Sequence, residues 1–209
     1  MNTCLIKESH RGYEAIRLSD ELYNNNRVIF FNEEVNSSSA EQLILQLLTL
    51  ENQKPGEPIL LYINSNGGST VAGLAIIDFL LSIKSPVYTA CLGSAYSMAA
   101  VILAAGEKGH RTVSPHSSVM IHEPLIAGGM GGSATSIQRT AESILETKRT
   151  INELLAKFTG KSLEEIDEAT SFDNMMNAEQ AVNLGLVDEI SVGLEFIREN
   201  NKRKELTEL

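Results

Sequence analysis

Apolar residues fall into short runs set apart by glycine, proline and asparagine, and successive runs alternate between strand-like and helix-like spacing. The run RVIFF from Arg27 predicts a first strand. Ser38 followed three residues later by Glu41 predicts a capping box, with Leu43, Leu45, Leu47, Leu48 and Leu50 in the helix behind it. Lys54-Pro55-Gly56 breaks the chain, Ile59 to Ile63 predicts a buried strand leading to a Gly67-Gly68 turn, and a helix follows from about Val71 to Lys84. A strand from Val87 to Cys91, a small-residue turn reading GSAYSMA from Gly93, and a helix from Tyr96 to Ala105 form the next unit.

Beyond it, His122 stands at the end of a short apolar strand and before a proline. The segment IAGGMGGSAT is too glycine-rich for a core element and predicts a pliable loop or edge strand. A long amphipathic helix follows from Ser133 to Thr159, with Ile137, Ala141, Ile144, Ile151, Leu155 and Phe158 on one stripe and Gly160 as its cap. Ser162 with Glu165 predicts a second capping box, and Asp173 falls in a loop before a helix from Ala178 to Leu184. Residues 1 to 26 have weak periodicity and end in three asparagines, and the stretch from Glu195 is highly charged, so both are expected to be loosely ordered. Repeated strand-turn-helix units predict one layered α/β domain with crossover connections, which puts Gly67 and Ser97 at turns on the same edge of the sheet.

Composition narrows the function. A chain of 209 residues suffices for one sizeable core, and its net charge of −10 with a pI near 4.9 disfavours nucleic acid or anionic membrane as main partner. Cys4 and Cys91 lack metal or redox spacing, which fits a reducing compartment. No apolar leader opens the sequence, and the longest apolar run, Met98 to Ala105, is too short to span a bilayer, so the expected location is the cytoplasm. With no tryptophan the core is expected to be mostly aliphatic.

Ser97 is the candidate nucleophile, because a small-residue turn before a helix exposes its hydroxyl. A serine there is more often a packing residue, and a nucleophile also needs a base, a group orienting the base, and amide donors for an oxyanion. His122 is the candidate base, while His10, His110 and His116 show how little a lone histidine means. Asp173 is the candidate orienting group, although aspartate is also a usual turn residue and Asp167 stands near it. Gly67 and Gly68 allow the close backbone approach that an amide donor requires.

The segments RVIFFNEEV, ILLYINSNGGSTVAGLAIID, GSAYSMAAVILAAGEKGHR, VMIHEPL, TGKSLEEI and NAEQAVNLGLVDEI resemble, in order, the ClpP serine peptidases, the proteolytic subunits of ATP-dependent Clp proteases. The resemblance implies a ClpP/crotonase-like fold with a protruding handle helix. It implies axial loops over 1–26, a peptidase domain over 27–192 with its handle at about 123–160, and a charged tail over 193–209. It assigns Ser97, His122 and Asp173 as the triad and the amides of Gly67 and Met98 as the oxyanion hole. No cofactor is implied, and since the chain carries no Walker motif, ATP is left to a Clp-family AAA+ unfoldase. Implied partners are unfolded protein substrates and further subunits in stacked heptameric rings.

Four departures from the family pattern stand out. Asn66 replaces a proline; Ala169, Ser171 and Phe172 replace two acidic residues and an arginine that pair across rings; and the glycine loop is about two residues longer. In the docking pocket for the unfoldase's apolar loop, Leu48 and Tyr62 are kept, while Leu60, Ser82 and Thr112 replace common aromatics. This predicts a weaker grip. The pattern is that of a divergent second paralogue aligned by a more typical partner. Two rivals stand beside it, an idle structural subunit and a crotonase-type enzyme that holds a thioester oxyanion on paired amides.

Overall fold

The described part of the N-terminal stretch, expected to be loosely ordered, takes regular structure. In a computed structural model describing residues 4–9, 12–125 and 131–197, Cys4–Ser9 (β1) and Gly12–Arg17 (β2) pair as an antiparallel hairpin, and Leu18–Asn26 forms helix α1. The asparagines that read as a loop are the last turn of α1, whose left-handed cap at Arg27 donates its N–H to Tyr23 O at 3.1 Å. Arg27 is buried and gives its guanidinium to Leu50 O, Glu57 O and Pro58 O. These bonds offset its burial and fix α1 to the sheet.

The remaining described elements in chain order are β3 (Val28–Phe31), α2 (Ser37–Gln53), β4 (Ile59–Ser65), α3 (Thr70–Ser82), β5 (Val87–Tyr96), α4 (Met98–Ala104), β6 (Arg111–Val113) and β7 (Ser118–Ile121), followed by α5 (Ala134–Thr159), α6 (Leu163–Thr170), β8 (Asn174–Met176), α7 (Ala178–Leu184) and β9 (Glu189–Ile190). Strands β3, β4, β5, β6 and β9 lie side by side and parallel; β7 joins the far half of β5, and β8 runs antiparallel to β7. This is the layered α/β fold with crossover helices that the sequence predicts, and it is consistent with the ClpP fold.

On β4, Ile59, Leu61 and Ile63 face the main core with Leu43, Leu47, Ile76, Ile77, Ile102 and Leu103, whereas Leu60 and Tyr62 face a second, smaller cluster. The mostly aliphatic core is therefore as expected. Several boundaries move. The cap of α2 is Asn36, whose Oδ1 accepts from the Ser38 and Ser39 amides at 3.0 and 3.1 Å, while Ser39 Oγ accepts from the Asn36 N–H. Asparagine is as good a cap as serine and comes first in the chain. Strand β5 continues through Tyr96, so GSAY is strand and the turn is Ser97 alone.

The long helix α5 has the predicted caps, Ser133 and Gly160. Only its second half is buried by this chain, through Ile151, Asn152, Leu155 and Phe158; Ile137 and Leu145 are exposed. The second capping box also forms as predicted. Most of the glycine loop, residues 126–130, lies outside the described residues.

Candidate active site

Strand pairing brings the candidate residues together. Ser97 follows the last residue of β5, and β7 pairs with that end in the register Tyr96 to Met120, so His122 emerges beside Ser97. Strand β8 pairs with β7 in the register Ile121 to Asn174, so Asp173 stands opposite His122. Ser97 Oγ lies 2.9 Å from His122 Nε2, and His122 Nδ1 lies 3.0 Å from Asp173 Oδ1. The rival Asp167 instead accepts from Asn152 Nδ2 at 2.6 Å, inside the packing of α5 on α6.

Ser97 takes φ 53° and ψ −126°, a positive φ that a non-glycine residue adopts only when its surroundings hold it there. The holding groups are visible. Its N–H donates to Met120 O at 2.8 Å, and its carbonyl accepts from Ala100 and Val101. Although Ser97 caps α4, its hydroxyl makes no capping bond and is directed to the imidazole.

Gly67 presses against this turn. A Cβ built on it would fall 2.8 Å from Ser97 Cβ and 3.0 Å from Met98 N, so no side chain fits. Its N–H donates to Ser65 Oγ at 3.2 Å, a commitment the sequence reading of Gly67 as oxyanion donor did not include. Among the described residues the amides of Gly68 and Met98 have no hydrogen-bond acceptor, Met98 opening a helix whose first N–H groups find none within it. Asn66, next in the turn, is exposed.

Three supporting residues escaped sequence reasoning: Met120 through its carbonyl, Ser65 through its hydroxyl, and Asn64, whose Oδ1 accepts from the Ser94 N–H at 3.2 Å across the irregular register between β4 and β5. Asn64 and Ser65 lie in the INSNGG stretch and Met120 in VMIHEPL, but their supporting roles arise only where the strand ends meet in the fold. The His122 side chain is 15% exposed, but that of Asp173 is 74% exposed, beside an exposed Phe172. Next to His122, Glu123 donates its N–H to Thr170 O and takes an ion pair from Lys148 of α5 at 2.8 Å, which ties the long helix to the base.

The five residues considered for partner docking do not form one pocket within the chain. Leu60, Tyr62 and Thr112 lie on the smaller apolar face of the sheet; Leu48 is exposed on α2, and Ser82 ends α3 with its hydroxyl donating to Phe79 O. No helix among the described residues is long and apolar enough to cross a membrane. The family model described as Clp protease matches residues 10–193.

Proposed function

Because the chain belongs to the Clp protease family, whose members are serine peptidases that generally pair with Clp ATPases and form rings, we propose that it is a proteolytic subunit of an ATP-dependent Clp protease. Its substrates are unfolded proteins and short peptides delivered into a ring-shaped chamber by a Clp-family AAA+ unfoldase, in the cytoplasm. The observation that carries this reading is the unbroken chain from Ser97 Oγ to His122 Nε2 and from His122 Nδ1 to Asp173.

In the reaction, neutral His122 accepts the Ser97 proton at Nε2 as Oγ attacks the peptide carbonyl, while its Nδ1–H donates to Asp173 and the carboxylate stabilises the imidazolium. The developing oxyanion is received by the Met98 N–H and the Gly67-Gly68 turn. Since Gly67 N–H is given to Ser65, Gly68 N–H is the open donor there. His122 then protonates the leaving amine, and water repeats the sequence in reverse to release the acyl group. A serine-directed fluorophosphonate is expected to label the wild type and not Ser97→Ala. Absence of labelling in an assembled wild type would favour the crotonase chemistry instead, which has no activated serine.

A second reading concerns how active the chain is alone. The exposure of Asp173 and the loss of the charged residues at Ala169, Ser171 and Phe172 favour a subunit aligned by assembly with a more typical ClpP-type partner. Equal peptide hydrolysis by the purified chain and by a mixture with such a partner would sink this, and unchanged hydrolysis when Ser97→Ala is carried in the mixed complex would mark the chain as idle.

A further inference from the structure

A groove of about 460 Å³ opens at the Gly67-Gly68 turn, bounded in part by Glu33, Glu34, Asn64 and Ser94. Backbone pairing places the two glutamates there. Val35 forms a parallel bridge to Gly68: its N–H donates to Gly67 O at 2.8 Å and its carbonyl accepts from the Ser69 N–H at 2.7 Å, so the residues just before it run alongside the turn. Ser65 Oγ donates to Glu33 O, which ties the same segment to the end of β4. The stem of Glu34 lies against Gly68, where a Cβ built on the glycine would meet Glu34 Cγ at 3.0 Å.

Both glutamates are exposed, and among the described residues neither carboxylate has an ion pair or a hydrogen bond. No lysine, arginine or histidine is among the described residues that line the groove. Uncompensated negative charge at this place works against the chemistry proposed above. The open Gly68 N–H is a donor for the negative charge that develops on the substrate carbonyl, and carboxylates beside it oppose that charge. A cation carried in by the substrate removes the conflict. The groove has room for the head of a lysine or arginine, which would make charge-assisted hydrogen bonds to the two carboxylates.

We infer that Glu33 and Glu34 are specificity-determining residues, favouring substrates with lysine or arginine within about three residues of the scissile bond, a span of roughly 10 Å, and disfavouring aspartate or glutamate there. The inference rests on the peptidase reading and names the substrate class of that site. Because the carboxylates are exposed, the preference is modest and salt-sensitive.

The probes are internally quenched peptides of one sequence, with Lys, Gln or Glu placed in turn at each position flanking a cleavage site fixed by mass. On the assembled wild type at low ionic strength, the Lys peptide is expected to exceed the Glu peptide in kcat/KM by on the order of fivefold at one or more positions. High salt is expected to bring that ratio towards one, and so is the double substitution Glu33→Gln with Glu34→Gln. Anisotropy with labelled copies of the peptides on assembled Ser97→Ala reads affinity without turnover and is expected to give the same order. Equal rates for Lys and Glu peptides at every position overturn the inference, as does a preference that survives both substitutions, which would mean that the carboxylates are engaged elsewhere in the assembly. Should the double variant fold poorly, the salt series on the wild type still decides, because a Lys preference indifferent to salt is not made by these carboxylates. If no peptide is cleaved and Ser97 resists the fluorophosphonate, yet Ser97→Ala binds the Lys peptide more tightly, the peptidase reading falls and the cation-seeking groove remains.

Discussion

Ser97 and Asp173 are held very differently, and that difference sets how much each is worth. Ser97 is fixed by backbone bonds in a strained turn, whereas Asp173 faces His122 from an open carboxylate that water and salt screen. Ser97→Ala in the assembled protein is expected to lower hydrolysis of a fluorogenic peptide by roughly a thousandfold or more, with the fold retained. Asp173→Ala is expected to lose roughly ten- to a hundredfold less activity than Ser97→Ala does, and equal losses would mean that the carboxylate is far better shielded in the working state. Cys91 gives a second residue-scale expectation. Burial, eased only partly by a hydrogen bond from Ser117, pushes its thiol up to about 11, so it stays protonated and inert near neutral pH. A thiol reagent is expected to modify the exposed Cys4 alone in the native protein and both cysteines after denaturation, counted by mass. Ser97 and His122 stand out as candidates through the resemblance to the ClpP serine peptidases, since a small-residue turn and a strand-ending histidine are by themselves weak signals. That the Gly67 amide is taken by Ser65, leaving Gly68 open, depends on how a strand end folds back and could not be read from glycine spacing.

At the scale of elements, the long runs were read well and the short ones were not. Strands β4 and β5 and helices α3 and α5 have enough periodic positions to be recognised, while β6 and β8, at three residues each, are defined only by their neighbours. Strand β8 is the costliest of these omissions, since its pairing with β7 is what sets Asp173 opposite His122. The hairpin of β1 and β2 went unread because it buries little: Ile6 and Tyr13 are exposed and Ile16 is only half-buried, so no continuous apolar face marks it. Two substitutions test element-level supports. Asn36→Ala removes the capping bonds of α2 and is expected to cost about 1 kcal/mol, a drop in Tm of roughly 2–4 °C by calorimetry. Lys148→Met breaks the partly exposed pair with Glu123, which is expected to change stability by less than about 1 kcal/mol. If that pair steadies His122 through its neighbour, kcat for peptide hydrolysis falls a few-fold while KM holds; an unchanged kcat would reduce the pair to surface decoration.

For the whole molecule, one buried ion pair joins the parts that the chain order keeps far apart. Arg111, its side chain 3% exposed, gives Nη2 to Asp188 Oδ1 at 2.6 Å and Nε to Oδ2 at 2.9 Å, while its Nη1 donates to Ala104 O and Phe158 O. Strand β6, the end of α4, the end of α5 and the approach to β9 thus close on a single guanidinium. Burial raises the Asp188 pKa, but hydrogen bonds from Arg111 and the Gly109 amide outweigh it and hold the carboxyl below its ordinary range. A carboxyl depressed in the folded state stabilises the fold fully above its unfolded pKa of about 3.9 and loses that contribution as pH falls through the lower folded value. The term is therefore flat from pH 5 to 8 and disappears in stronger acid. Asp188→Asn leaves a buried cation without its counter-charge and is expected to cost about 3–5 kcal/mol at pH 7. Urea denaturation of both proteins at pH 7 and pH 3 checks this, since the gap must narrow in acid, where the unfolded wild-type carboxyl takes up a proton that the folded one resists. A gap that is small at pH 7, or equal at the two values, would mean that the backbone bonds around Arg111 hold these elements together without the charge.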